Sequence, residues 1–178
     1  MKAIELFAGV GGFRIGLSKN NIEVIYANEW NKHAADVYDR RFNDAIDRRD
    51  IKSVPSSDIP DHDILVGGFP CQTFSVAGKR AGFDDIRGTM FFEVARILRD
   101  KRPRYFILEN VKGLLSHDGG KTIITIFTIL SDLGYEYQWG VFDSKDFGIP
   151  QRRERLYITG YTRGAPRPEI FPRRISTE

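Results

Sequence analysis

Apolar runs the length of one strand alternate with amphipathic runs the length of one helix. That alternation is the strongest constraint on how this chain can fold. Lys2–Phe7 reads as a strand, and Ala8-Gly9-Val10-Gly11-Gly12 as a glycine-rich turn. Phe13–Lys19 reads as a helix closed by Asn20-Asn21, and Glu23–Asn28 as a second strand. Trp30–Phe42 has helical spacing, with Ala34, Val37, Tyr38 and Phe42 on one side. A short strand is expected before Asp50-Ile51, and a buried one over Asp63–Gly67. Thr89–Lys101 is a helix with Phe92, Ala95 and Leu98-Arg99 in step, and Tyr105–Leu108 is a strand. Lys121–Leu133 is a helix stopped by Gly134. Tyr135–Phe142 and Leu156–Tyr161 are the last two strands. Strands alternating with helices imply an α/β fold, with a mostly parallel sheet and helices on both faces. No helix separates the last two strands, so at least one of them is antiparallel.

The totals narrow the class. The 178 residues, 41% of them apolar, suffice for one soluble domain with a sizeable core. One cysteine excludes an internal disulfide framework and suggests a reducing compartment. No run approaches the roughly 18 apolar residues of a membrane span, so no membrane partner is expected. Met1-Lys2-Ala3-Ile4-Glu5 enters a strand pattern directly and does not read as a signal peptide. The net charge of +3 permits a nucleic-acid partner without demanding one. His33, His62 and His117 lack ligand spacing, so no metal is expected. Residues 1–161 form the expected domain, and 162–178, with three of the eight prolines, reads as a linker.

Chemistry is expected at the carboxyl ends of the strands, where open α/β sheets bind their ligands. Gly67-Gly68-Phe69-Pro70-Cys71-Gln72 follows the run Ile64-Leu65-Val66 and sets the only cysteine just past a strand end. A lone cysteine is usually a small buried hydrophobe, but a core position needs no such backbone. Cys71 is therefore a candidate nucleophile, with the Gly-, Lys- and Arg-rich stretch Val76–Gly88 as a lid. Lys79, Arg80 and Arg87 are nearby cations.

Gly9-x-Gly11-Gly12 lets a ligand approach the backbone, but Arg14 breaks the dinucleotide pattern. Glu29, twenty residues beyond Gly9, ends the second strand, where a carboxylate can bond ribose hydroxyls. Trp30 can cover an adenine face, and Asp50-Ile51 can hold the adenine. Glu29 can equally be a helix N-terminal charge and Trp30 ordinary packing. Together they favour an adenosine ligand, and S-adenosyl-L-methionine over NAD. Glu109-Asn110-Val111 follows the strand Phe106-Ile107-Leu108 and puts an acid one strand from Cys71. Gln151-Arg152-Arg153-Glu154-Arg155 is either a solvated charge run or a binder of base oxygens and phosphates.

The order and spacing of five of these stretches resemble the bacterial DNA cytosine-5 methyltransferases. They are Phe7-Ala8-Gly9-Val10-Gly11-Gly12, Asn28-Glu29-Trp30, Phe69-Pro70-Cys71-Gln72, Glu109-Asn110-Val111 and Gln151-Arg152-Arg153-Glu154-Arg155. The resemblance covers Met1 to about Tyr161. It implies a Rossmann-like class I methyltransferase fold and transfer of a methyl group from S-adenosyl-L-methionine to C5 of cytosine in double-stranded DNA. Cys71 would attack C6 of a flipped-out base, Glu109 would bond N3 and the amine, Arg155 would hold O2, and Arg153 would support the cysteine. Phe7, Gly9, Gly11, Gly12, Glu29, Trp30, Asp50, Ile51 and Pro70 would bind the cofactor, and Gln72, Ser75, Lys79 and Arg87 would contact DNA. The implied setting is the bacterial cytoplasm, at the nucleoid. The family's target-recognition domain and last segment have no counterpart in residues 1–178. The expectation is a split or truncated enzyme, inactive without the missing part or completed by a second polypeptide. A non-catalytic cofactor-binding fragment or subunit and a tRNA cytosine-5 methyltransferase are the alternatives.

Overall fold

The computed structural model describes residues 1–70 and 90–166. One sheet contains β1 (Lys2–Leu6), β2 (Glu23–Asn28), β3 (Ile64–Gly68), β4 (Tyr105–Val111), β5 (Tyr135–Asp143) and β6 (Glu154–Thr162), in the order β2-β1-β3-β4-β6-β5. The first four in that order are mutually parallel; β6 runs antiparallel to both β4 and β5. Among the described residues the α-helices are α1 (Gly12–Lys19), α2 (Lys32–Phe42), α3 (Met90–Lys101) and α4 (Lys121–Asp132).

Alternation along β1 splits the core in two. Ile4 and Leu6 face one layer, with Leu65, Phe106 and Leu108 from the sheet and Val94, Leu98, Ile126 and Leu130 from α3 and α4. Ala3 faces the other, with Val24, Ala27 and Val66, Leu17 of α1, and Ala35 and Tyr38 of α2. Each large apolar side chain buried this way contributes roughly 1.5–3 kcal/mol. The two faces are not equally covered. Toward β4 and β6 the second face holds an open cleft of about 940 Å³, lined by Phe13, Ile64, Ile107, Phe142, Ile149 and Tyr157 among others.

Several local expectations need correction. The strand expected before Asp50 is a single bridge, Asn28 to Asp47. After one pairing the Asp47 carboxylate captures the Arg49 N–H at 3.0 Å, an Asx turn that bends the chain away. Helix α2 turns Ala35 and Tyr38 inward and leaves Val37 exposed. Asn31 caps it by accepting from the N–H groups of His33 and Ala34, while Asp36 and Asp39 bind Arg48 on the outer side. Helix α3 buries Phe91, Val94, Ala95, Ile97 and Leu98 rather than a face built on Phe92 and Arg99. Strand β4 continues past Leu108, because β6 pairs with it as far as Val111 opposite Arg155. Glu109 and Asn110 therefore lie within the strand.

Candidate active site

The first group of candidate residues is built on the turn after β1. Phe7 takes a left-handed φ of 52°, a conformation that costs a bulky residue on the order of 1–3 kcal/mol. Its neighbours enforce it: the Ala8 N–H donates to the Asn28 carbonyl at 3.0 Å, and the Gly11 N–H to the Ala8 carbonyl at 2.9 Å. Glu29 closes the turn from β2. Its Oε2 accepts from the Gly9 N–H at 2.9 Å and its Oε1 from the Asn31 N–H at 2.8 Å. Each oxygen keeps a second lone pair for a ligand hydroxyl. Gly11 admits no side chain, since a Cβ there would lie 2.1 Å from the Phe42 ring.

Beside this turn Phe7, Trp30, Asp50, Ile51 and Pro70 meet around a small cavity of about 30 Å³, together with Asn28 and Met90. Ile51 is buried, whereas Trp30 is 70% exposed at the rim. The Asp50 carboxylate caps the single helical turn Ile51–Ser53 by accepting from the Lys52 N–H at 3.0 Å. Apolar side chains thus wall this cavity, with the Asp50 carboxylate at its edge.

The second group lies two strands away. Glu109 pairs in register with Gly68 of β3, and its side chain leans across that glycine, where a Cβ would stand 3.0 Å from Oε2. Its Oε1 forms an ion pair with Arg155 Nε at 2.8 Å, and the two side chains are 23% and 22% exposed. Arg155 Nη1 also donates to the Glu154 carbonyl. Arg153 and Arg155 share the lining of the large cleft with Glu109 and Phe7. Cys71, Gln72, Ser75, Lys79 and Arg87 lie outside the described residues.

Three polar residues support this end: Asn110, quoted in a motif but given no role from sequence, and Asp143 and Ser144, which sequence reasoning did not reach. Buried Asn110 donates from Nδ2 to the Phe69 carbonyl at 2.8 Å, so β4 tethers the chain immediately before Pro70 and Cys71. Asp143 Oδ1 accepts from the Arg153 N–H at 2.9 Å and the Lys145 N–H at 3.3 Å. Ser144 Oγ adds a bond to the Gln151 carbonyl at 2.6 Å. Together they pin residues 144–153 as a closed loop whose base aims Arg153 and Arg155. Among the described residues no three His, Cys, Asp or Glu side chains gather as metal ligands.

This geometry has relatives. The chain is 52% identical over 163 residues to the Type II methyltransferase M1.ScrFI of Lactococcus lactis subsp. cremoris, covering 91% of this chain and 42% of that protein. It is 48% identical to M.NgoBI of Neisseria gonorrhoeae (93% and 52% covered) and 47% identical to M.HhaI of Haemophilus parahaemolyticus (89% and 48%). The chain thus spans about half the length of the curated relatives it matches. Among solved structures, a Spodoptera frugiperda DNMT2 variant superposes with a TM-score of 0.78 at 27% identity, over 98% of this chain and 53% of that one. The S. pombe Dnmt2 methyltransferase gives 0.75 at 24% identity, over 91% and 51%, a likeness of fold. The sheet is the Rossmann-like one of these methyltransferases. The model of the C-5 cytosine-specific DNA methylases matches residues 1–177, and the chain belongs to that family.

Proposed function

We propose that this chain is the cofactor-binding and catalytic part of an enzyme that methylates C5 of cytosine in DNA. Methyltransferases of this family take the methyl group from S-adenosyl-L-methionine. The observation that carries the reading is the Glu109–Arg155 pair beside the Asn110-tethered end of β3. It offers an acid and a cation to one small planar base, next to the backbone that leads into Cys71.

Glu29, Trp30, Asp50 and Ile51 would hold the adenosine. The cofactor's sulfonium supplies the methyl group that an activated C5 accepts. Cys71 as thiolate adds to C6 of a flipped cytosine. Glu109 holds N3 and the exocyclic amine, and Arg155 the O2, so the charge entering the ring is neutralised and C5 becomes nucleophilic. Loss of the C5 proton to a base then expels the Cys71 sulfur and restores the aromatic ring. Arg153 supports the nucleophile's side of the base. Gln72, Ser75, Lys79 and Arg87 would meet the DNA.

The open face above Ile107 and Tyr157 supports a further reading, that more polypeptide of the same enzyme covers it. That part, in the same chain or a second one, would carry the base-edge contacts that select a DNA sequence. The setting is the bacterial cytoplasm, at the nucleoid. Residues 1–178 alone are expected to transfer no measurable methyl group, and adding the remaining polypeptide in trans should restore transfer.

In that reconstituted enzyme, a duplex with 5-fluorocytosine at the target should trap an adduct on Cys71, because fluorine blocks the final elimination. Cys71→Ser should abolish the adduct and leave cofactor affinity nearly unchanged. An adduct mapped by mass spectrometry to any other residue would refute the assignment.

A further inference from the structure

A carboxyl group lies buried beneath the cofactor turn and takes no part in the chemistry above. Glu5 stands in the middle of β1 with no exposure at all. Its Oε2 accepts from the Tyr38 hydroxyl at 3.0 Å, and its Oε1 completes no hydrogen bond. Tyr38, equally buried, accepts in turn from Arg14 Nη1 at 3.1 Å. That guanidinium pairs with Asp44 at 2.8 Å and lies over the Tyr38 and Phe42 rings, 5.4 and 4.8 Å from their centroids. The same two rings are the floor on which Gly11 rests. Contacts therefore run without a gap from Glu5 through Tyr38 to the glycine turn.

We propose that Glu5 is a positioning residue for the cofactor site: through Tyr38 it fixes the floor beneath Gly9–Gly12. This inference rests on the reading of that turn as a cofactor cradle. Stability alone does not account for a carboxyl here, because replacing buried charged groups by apolar side chains of similar size is often neutral or stabilising. Burial pushes the Glu5 carboxyl up to about 7. The Tyr38 hydroxyl, the first-turn amides of Arg14 and Phe13 and the Arg14 charge oppose that rise only in part. An apolar residue would fill the space and leave Tyr38 without its acceptor, free to shift under Gly11.

Calorimetric titration with S-adenosyl-L-homocysteine, paired with thermal unfolding of the same samples, separates position from stability. Glu5→Leu should melt at or above the wild type yet bind about tenfold more weakly. Glu5→Gln keeps an acceptor for Tyr38 and should stay within about threefold of the wild type. Tyr38→Phe should lose as much affinity as Glu5→Leu. Wild-type affinity in Glu5→Leu overturns the inference. Should Glu5→Leu fail to fold, the other two variants decide: weakened binding in Tyr38→Phe with binding kept in Glu5→Gln supports it, and unchanged binding in Tyr38→Phe overturns it. If the folded wild type binds nothing at millimolar ligand, the cradle reading itself fails and takes this inference with it.

Discussion

The two ends of the site are held by different means. At the turn after β1, Glu29 is fixed by two backbone amides, one from Gly9 twenty residues earlier and one from Asn31 two residues on. Helix α2, which begins at Lys32, stabilises the same corner. At the other end, Glu109 is fixed by one side chain, Arg155, delivered by β6, which among the described strands alone reverses the sheet's direction. Backbone partners come with the fold of β1 and β2. A side-chain partner requires β6 to be in register and residues 144–153 to be pinned by Asp143. The end at β1 and β2 is thus self-contained, and the other depends on the antiparallel part of the sheet.

That contrast can be broken most forcefully at Glu109. In the reconstituted enzyme Glu109→Gln should slow methyl transfer by roughly 10²–10⁴-fold, the range for a positioned acid, with cofactor affinity unchanged. A parallel loss of affinity would mean that the two ends are not independent. Next in size is a pH effect confined to the cofactor end. The folded Glu5 carboxyl titrates at about 7 against an ordinary 4.5, so the folded chain holds the extra proton between those values. Its stabilising contribution is full below 4.5 and is lost as pH rises through 7, amounting to roughly 3 kcal/mol. Urea unfolding of the wild type and Glu5→Gln from about pH 4 to about pH 8 should give a difference that declines across this window. A flat difference would remove the buried titration.

Glu29→Ala should cost roughly 1–3 kcal/mol of cofactor binding, since it leaves the Gly9 and Asn31 amides without their acceptor. A thermal melt of the same variant checks that the fold survives. The smallest effect is expected from Asn110→Ala, about 1–2 kcal/mol of unfolding free energy for a lost buried hydrogen bond. Its consequence for chemistry should exceed its consequence for cofactor binding, because the Phe69 carbonyl it releases leads toward Cys71. Equal effects on both would blur the division.

Most of the sheet was legible from periodicity, because Ile64-Leu65-Val66 is buried on both faces, and Phe106-Ile107-Leu108, with Ile107 turned to the cleft, is an apolar run too short for a helix. Glu29 was legible for a similar reason: its distance from Gly9 is a local property of a strand–turn–helix–strand unit. Asn110 and Asp143 were not. A polar residue at a strand end looks the same whether it points to solvent or grips a carbonyl on a neighbour, and the partner is set by register, which one strand's sequence does not encode. Glu5 was visible as an acid inside an apolar strand, but only the packing of α1 and α2 reveals what it holds. The strand expected before Asp50 shrinks to one bridge for the opposite reason, since local side-chain bonds of Asp47 and Arg49 outcompeted a sheet edge.

The pairing of Glu109 with Arg155 also sets a timetable. The two residues are 155 − 109 = 46 positions apart, and ribosomes add about 5–20 residues per second. A nascent chain therefore spends on the order of 2–9 seconds with Glu109 made and its arginine not yet synthesised. During that interval β1 and β2 are already available to pair, so the cradle for a small molecule can form before the machinery that acts on a base. A ligand captured then would stabilise the half-built sheet by mass action.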